Sequence, residues 1–244
     1  MASLAVQLAE RTNSIVVAPT ISSNPFAIDG YTINGEPMQR AVASLFAGDR
    51  IELTASASAA AGKAIVLPRQ FVLSGHSAGG NLAAAVARYT TDNGAANELR
   101  AVVMLDGVDN GGAIAAAAER LDGIPIYQIA AECGSCNAFG SGTNALVAAR
   151  PDSFVGVLLK GGTHVDPEGA STSFPAALLC GFPIGANVSA LQTIAADWIT
   201  DVFTGSQIGV YGAGGQTVAI GDATAVILGE ATLRMLDPVL ADAG

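Results

Sequence analysis

The sequence predicts an α/β protein built on a mostly parallel, doubly wound sheet. Three observations predict it. First, short apolar runs recur along the chain, at Phe71-Val72-Leu73, Arg100 to Leu105, Ile124 to Ala131 and Phe154 to Leu159. Runs of this length, set between longer helix-forming or loop stretches, read as strands buried on both faces. Second, half of the residues are hydrophobic and only 13% are charged, with 29 glycines, a composition that suits a sheet covered on both sides by Ala-rich helices. Third, 244 residues suffice for one large domain with a substantial core.

The elements follow in order. Ser3 to Arg11 is an amphipathic helix carrying Leu4, Val6, Leu8 and Ala9. Ser14-Ile15-Val16-Val17-Ala18-Pro19 reads as a strand, and Thr20 to Glu36 as a loop rich in Ser, Asn, Gly and Pro. Pro37 to Phe46 is helical, continuing through Ile51-Glu52-Leu53; Ala55 to Gly62 is a low-complexity stretch, and Lys63 to Arg69 a connector. Phe71 to Leu73 opens the strand series, and Asn81 to Arg88 is a good helix former. Asp106 stands at the end of the next strand, Glu132 at the end of the one after. The last strand leads into Lys160-Gly161-Gly162-Thr163-His164-Val165-Asp166. Leu191 to Phe203 is an amphipathic helix with the single tryptophan, Trp198. Gly205 to Gly244 lies beyond the last of these helices, as an extension expected to pack on the main domain, 1–204. In the extension, Gln216 to Ile220 and Thr224 to Leu228 form a hairpin across Gly221-Asp222-Ala223, and Ala231 to Leu240 a short helix. This extension is expected to extend or replace part of the sheet.

The formal net charge is -10, with 11 Lys and Arg in no cluster, which argues against a nucleic-acid partner. No run reaches the length of a membrane span. Met1-Ala2-Ser3-Leu4 lacks the basic start and apolar core of a signal peptide. Localisation stays open, secretion being the expectation if the chain is a processed form. Cys133-Gly134-Ser135-Cys136 and Cys180 allow a local disulfide, a disulfide from either to Cys180, or three ordinary thiols. Metal binding would need further ligands, and only two histidines exist.

Chemistry concentrates in Gly75-His76-Ser77-Ala78-Gly79-Gly80. A G-x-S-x-G between a strand and a helix puts a serine on a strained turn with its hydroxyl above the sheet. The small residues at 75, 78 and 79 let neighbouring backbone pass. The Ala78 amide lies at a helix N-terminus, where an N–H favours negative charge. Such a serine needs a base. His76 sits inside the turn with its ring directed away from its neighbour's hydroxyl, so His164 is the candidate base. The acid has two candidates, Asp106 and Glu132; Asp166 is too near His164 in sequence and serves the loop. Ser77, Asp106, Glu132 and His164 all fall at strand C-termini, where open α/β sheets bind ligands.

Three segments together carry a resemblance: the turn 75–80, Leu105-Asp106-Gly107-Val108-Asp109-Asn110-Gly111, and the stretch ending Gly162-Thr163-His164-Val165-Asp166. They resemble the chlorophyllase-like branch of the α/β-hydrolases, whose plan related bacterial esterases and polyester hydrolases share. The resemblance spans about residues 1 to 204. It implies a serine carboxylic-ester hydrolase with a Ser77–His164–Asp106 triad and favours Asp106 over Glu132, although Gly107 stands where that family's segment has proline. It implies no metal or cofactor, and a small-molecule or polymeric ester as substrate. The oligomeric state is left open. The loop 20–36, with Phe26 and Tyr31, and the loops around Val108 and Val165 are the expected substrate-binding regions. Against the family plan the chain starts late: the first three strands, and the loop that supplies a second oxyanion-hole amide, would precede residue 1. A thioesterase, acyltransferase or amidase on the same triad is a second reading, and a non-catalytic binding protein of that fold a third.

Overall fold

The structure, a computed structural model, describes residues 2–22, 24 and 30–229. Six strands form one mixed sheet: β1 (Phe71–His76), β2 (Leu99–Leu105), β3 (Ile126–Ala130), β4 (Gly156–Leu159), β5 (Thr217–Ile220) and β6 (Ala223–Ile227). Their order is β1-β2-β3-β4-β6-β5. The first four are parallel; β6 pairs antiparallel with β4, and β5 antiparallel with β6. The hairpin read from the sequence therefore extends the sheet at the β4 edge. The short helix expected at 231–240 lies outside the described residues.

The helices among the described residues are α1 (Ala2–Thr12), α2 (Glu36–Ser44), α3 (Ile51–Ala61), α4 (Ala78–Asp92), α5 (Ala113–Arg120), α6 (Ser141–Ala149), α7 (Phe174–Cys180) and α8 (Gly185–Thr204). Alternating strand residues sort into two cores. Val102, Met104, Ile126 and Leu158 face Leu82, Val86, Ile114 and Leu146 of α4, α5 and α6. Val103, Leu105, Ile129 and Leu159 face Leu4, Leu8, Leu191, Ile194 and Trp198 of α1 and α8. Each such side chain contributes roughly 1.5–3 kcal/mol on burial. Both faces are thus covered, as the composition predicts. The winding differs from the expected doubly wound sheet: the parallel strands run in chain order without reversal. Right-handed crossovers then put α4, α5 and α6 on one face, and α1 and α8 fill the other.

Two sequence expectations need correction. The stretch 14–19 is not a strand. Ile15, Val16 and Val17 are 40–47% exposed, in chain without regular structure. A strand needs a neighbour for its backbone groups. Here Ile15, Val16 and Val17 stand across a cavity of about 490 Å³ from β1 residues Phe71 to Ser74. No described strand pairs with the outer edge of β1. The helix begun at 37 does not run on to 53: Gly48 and Arg50 both have left-handed backbone (φ 57° and 51°), which separates α2 from α3. The supposed low-complexity stretch then forms most of α3, since alanine is the best helix former. Among the described residues no single helix is long and apolar enough to cross a membrane.

Candidate active site

Ser77 is the one residue between β1 and α4. Its φ and ψ are 57° and -124°, a conformation that costs a non-glycine residue about 1–3 kcal/mol. The surroundings hold it there. Its N–H donates to the Leu105 carbonyl at 3.2 Å, and its own carbonyl accepts from Gly80, Asn81 and Val108. The first turn of α4 folds back against β1 so closely that a Cβ on Gly75 would lie 2.1 Å from the Gly79 carbonyl oxygen. Position 75 therefore admits only glycine. Gly79 itself would meet nothing, so its smallness serves no close backbone approach, contrary to the sequence expectation. Ala78 opens α4, and at that position its N–H has no intrahelical acceptor.

His164 sits on the turn after β4. Its Nε2 lies 2.9 Å from Ser77 Oγ, and its Nδ1 2.6 Å from Asp106 Oδ2. With Asp106 Oδ2 accepting from Nδ1–H, Nε2 is free to accept from the serine hydroxyl. Asp166 shapes this turn. It is buried and accepts from the Thr163 N–H and hydroxyl and from the Ile184 N–H.

Asp106 follows β2 directly, in left-handed conformation (φ 45°), and is only 2% exposed. Besides His164, its carboxylate accepts from the Ala131 N–H at 3.0 Å and from Asn137 Nδ2 at 3.2 and 3.3 Å. Buried carboxylates need such donors. Glu132, the other candidate acid, is exposed and accepts from the Gly161 N–H at 2.7 Å. Among the described residues, the side-chain partners of His164 are Asp106 and Ser77, not Glu132. Asn137 is the residue that sequence reasoning passed over. Nothing in its spacing points to Asp106; the nearest signal is Cys136 beside it. Its Oδ1 accepts from the Gly134 and Gly140 N–H groups, which locks the amide to face the carboxylate. Cys136 pairs with Cys180, so this turn is stapled to α7. The local Cys133–Cys136 alternative is not formed.

His76 points away from the serine hydroxyl, as expected. Its Nε2 donates to the His164 carbonyl at 2.7 Å. Burial, and after it the nearby His164, lower its pKa to about 4. At neutral pH it is uncharged, so the 3.8 Å approach of Glu168 to Nδ1 is not an ion pair.

Of the expected substrate contacts, Phe26 lies outside the described residues. Tyr31 is half exposed. Val108 is partly buried, its N–H spent on the Ser77 carbonyl. Val165 is buried beneath the histidine turn, its carbonyl accepting from Glu168 and Gly169. Comparison of the chain with protein-family models, with curated proteins and with solved structures found no match in any of the three.

Proposed function

We propose that the chain is a serine hydrolase that cleaves carboxylic esters through an acyl-enzyme. One observation carries the reading: the unbroken run of hydrogen bonds from Ser77 Oγ through the His164 ring to Asp106, anchored on a strained turn. In this reading Ser77 attacks the ester carbonyl while His164 Nε2 takes its proton. The same nitrogen then delivers that proton to the departing alcohol. Asp106 holds the ring in the required tautomer and stabilises the imidazolium. The Ala78 N–H faces the oxygen on which negative charge develops, a contribution of about 3 kcal/mol. Water, activated by His164 in the second half, releases the acid and restores Ser77. The resemblance of the three segments to chlorophyllase-like hydrolases favours an oxygen ester over a thioester or an acyl transfer.

The test is covalent labelling. A fluorophosphonate probe should add once to the wild-type protein, and tryptic mass spectrometry should place the adduct on Ser77. His164→Ala should label at least a hundredfold more slowly. Labelling elsewhere, or an equal rate without His164, would contradict the reading.

A further inference from the structure

Consecutive residues of one turn grip the candidate base at two of its atoms. Ser77 Oγ lies 2.9 Å from Nε2 of the His164 ring, and His76 Nε2 lies 2.7 Å from the His164 main-chain carbonyl oxygen. Asp106 holds the remaining ring nitrogen of His164. A carbonyl can only accept, so His76 carries its proton on Nε2 and turns a bare Nδ1 towards Glu168. The ring has little room to leave this pose. Its side chain is 11% exposed, and its backbone belongs to β1, where it pairs with Leu105.

The rest of the histidine turn is fixed through other residues. Asp166 ties Thr163 to Ile184, and the Val165 carbonyl accepts from Glu168 and Gly169. Among the described residues, His164 itself is bonded through its ring to Asp106 and Ser77 and through its carbonyl to His76.

One of those bonds is lost as the proposed reaction proceeds. Once Ser77 Oγ carries an acyl group it has no hydrogen to donate, and Nε2 loses that partner. In the second half Nε2 must take its proton from water. The water oxygen bonds to the acyl carbon, the proton passes to Nε2 and then to Oγ as the ester bond breaks, and the free acid leaves. The imidazole is then aimed by Asp106 and by whatever holds the His164 main chain. An error of about 1 Å in such an aim can cost roughly a hundredfold in rate. The His76 ring suits the task because it is neutral at working pH: burial and the nearby His164 lower its pKa to about 4. No second positive charge therefore opposes the imidazolium that forms 4.7 Å away, between ring centroids.

We propose that His76 is a positioning residue for the second half of the reaction, its Nε2–H pinning the His164 carbonyl so that the base stays aimed at water while Ser77 is acylated. The assignment rests on the hydrolase reading. A ring that only filled space would affect both halves alike.

Three variants at position 76 test it. Each is read by the rate of fluorophosphonate labelling, which needs only attack by Ser77, and by stopped-flow turnover of p-nitrophenyl acetate. The amide nitrogen of Gln reaches the place of Nε2, that of Asn only the place of Nδ1, and Leu has no donor. His76→Leu and His76→Asn should lower kcat at least about tenfold, with KM falling in step, so that kcat/KM and the labelling rate stay within about threefold of wild type. The acyl-enzyme should then accumulate, seen as a burst of about one equivalent of p-nitrophenol. His76→Gln should recover most of the lost turnover. Asn that turns over as well as Gln, or labelling and turnover that fall together, would overturn the assignment and leave the hydrolase reading intact. If His76→Leu does not fold, the contrast between Asn and Gln decides by itself. A wild type that neither labels nor turns over would sink the hydrolase reading, and this assignment with it.

Discussion

The nucleophile side of the candidate site and the acid side are built in opposite ways. Ser77 is held mostly by its own neighbourhood: the turn between β1 and α4, the Gly75–Gly79 approach, and bonds from Gly80 and Asn81 to its carbonyl, with Leu105 and Val108 at the end of β2 adding one bond each. Asp106 is held by the distant chain: Ala131 after β3, Asn137 on the next turn, and His164 after β4. A disulfide spanning 44 residues braces that second assembly. A local turn is all-or-none, because one misplaced Cβ destroys it. A long-range assembly can lose one member and keep its shape, so its parts should fail by degrees. Five variants grade that difference.

The largest effect is expected at Asp106 itself, the residue that the second assembly holds. Asp106→Asn leaves an isosteric group that can hold the imidazole in the wrong tautomer. Its kcat should fall about 10⁴-fold with KM little changed. A loss of less than tenfold, in steady-state kinetics on a soluble ester, would mean that another group orients His164.

The brace comes next. Replacing Cys136 and Cys180 together by serine frees a 44-residue loop, which the chain-entropy account values at roughly 4 kcal/mol. Urea unfolding should show that loss, and reduction of the wild type should reproduce it. Equal stability would mean that the α7 staple does not support the acid side.

His76 links the two sides, since it belongs to the turn yet holds the His164 carbonyl. Its folded pKa, lowered to about 4, lies below the ordinary histidine value of 6.5. The unfolded chain therefore binds more protons between those values, and stability must fall as pH drops from 6.5 towards 4. The full effect is about 3 kcal/mol. The unfolding free energy of His76→Gln should be flatter across that window than that of the wild type. Parallel curves would show that His76 is not buried neutral.

The smallest graded effect is that of Asn137→Ala. Removing one donor to a charged group should slow kcat by about tenfold to a hundredfold. Glu132→Gln should stay within twofold, and a drop beyond tenfold there would exchange the roles of the two carboxyls.

The same contrast explains what could be read from the chain. Ser77 was legible because its turn is written in consecutive residues. His164 and Asp106 were legible because strand ends in a parallel sheet converge, and the two parallel strands β2 and β4 each announce themselves as a short apolar run. Asn137 was not, because nothing in a sequence marks which amide will fold over a carboxylate. The Cys136–Cys180 pairing was one of several allowed, decided only by where α7 comes to rest. Residues 14–19 have the composition of a strand, but a strand is a relation between two segments. Across from them lies the edge of β1 that no described strand pairs, with a cavity between. The hairpin at 217–227 met the opposite fate, since β4 offered an edge and the two pair.

The central claim is that Ser77, His164 and Asp106 work as one unit. Hydrolysis of p-nitrophenyl butyrate by wild type, Ser77→Ala, His164→Ala and the double variant tests it most directly. If the account holds, each single change lowers kcat by at least about 10⁴-fold, and the double change costs little more than either alone. Residual turnover within tenfold of wild type in Ser77→Ala, or multiplicative losses in the double variant, would contradict it.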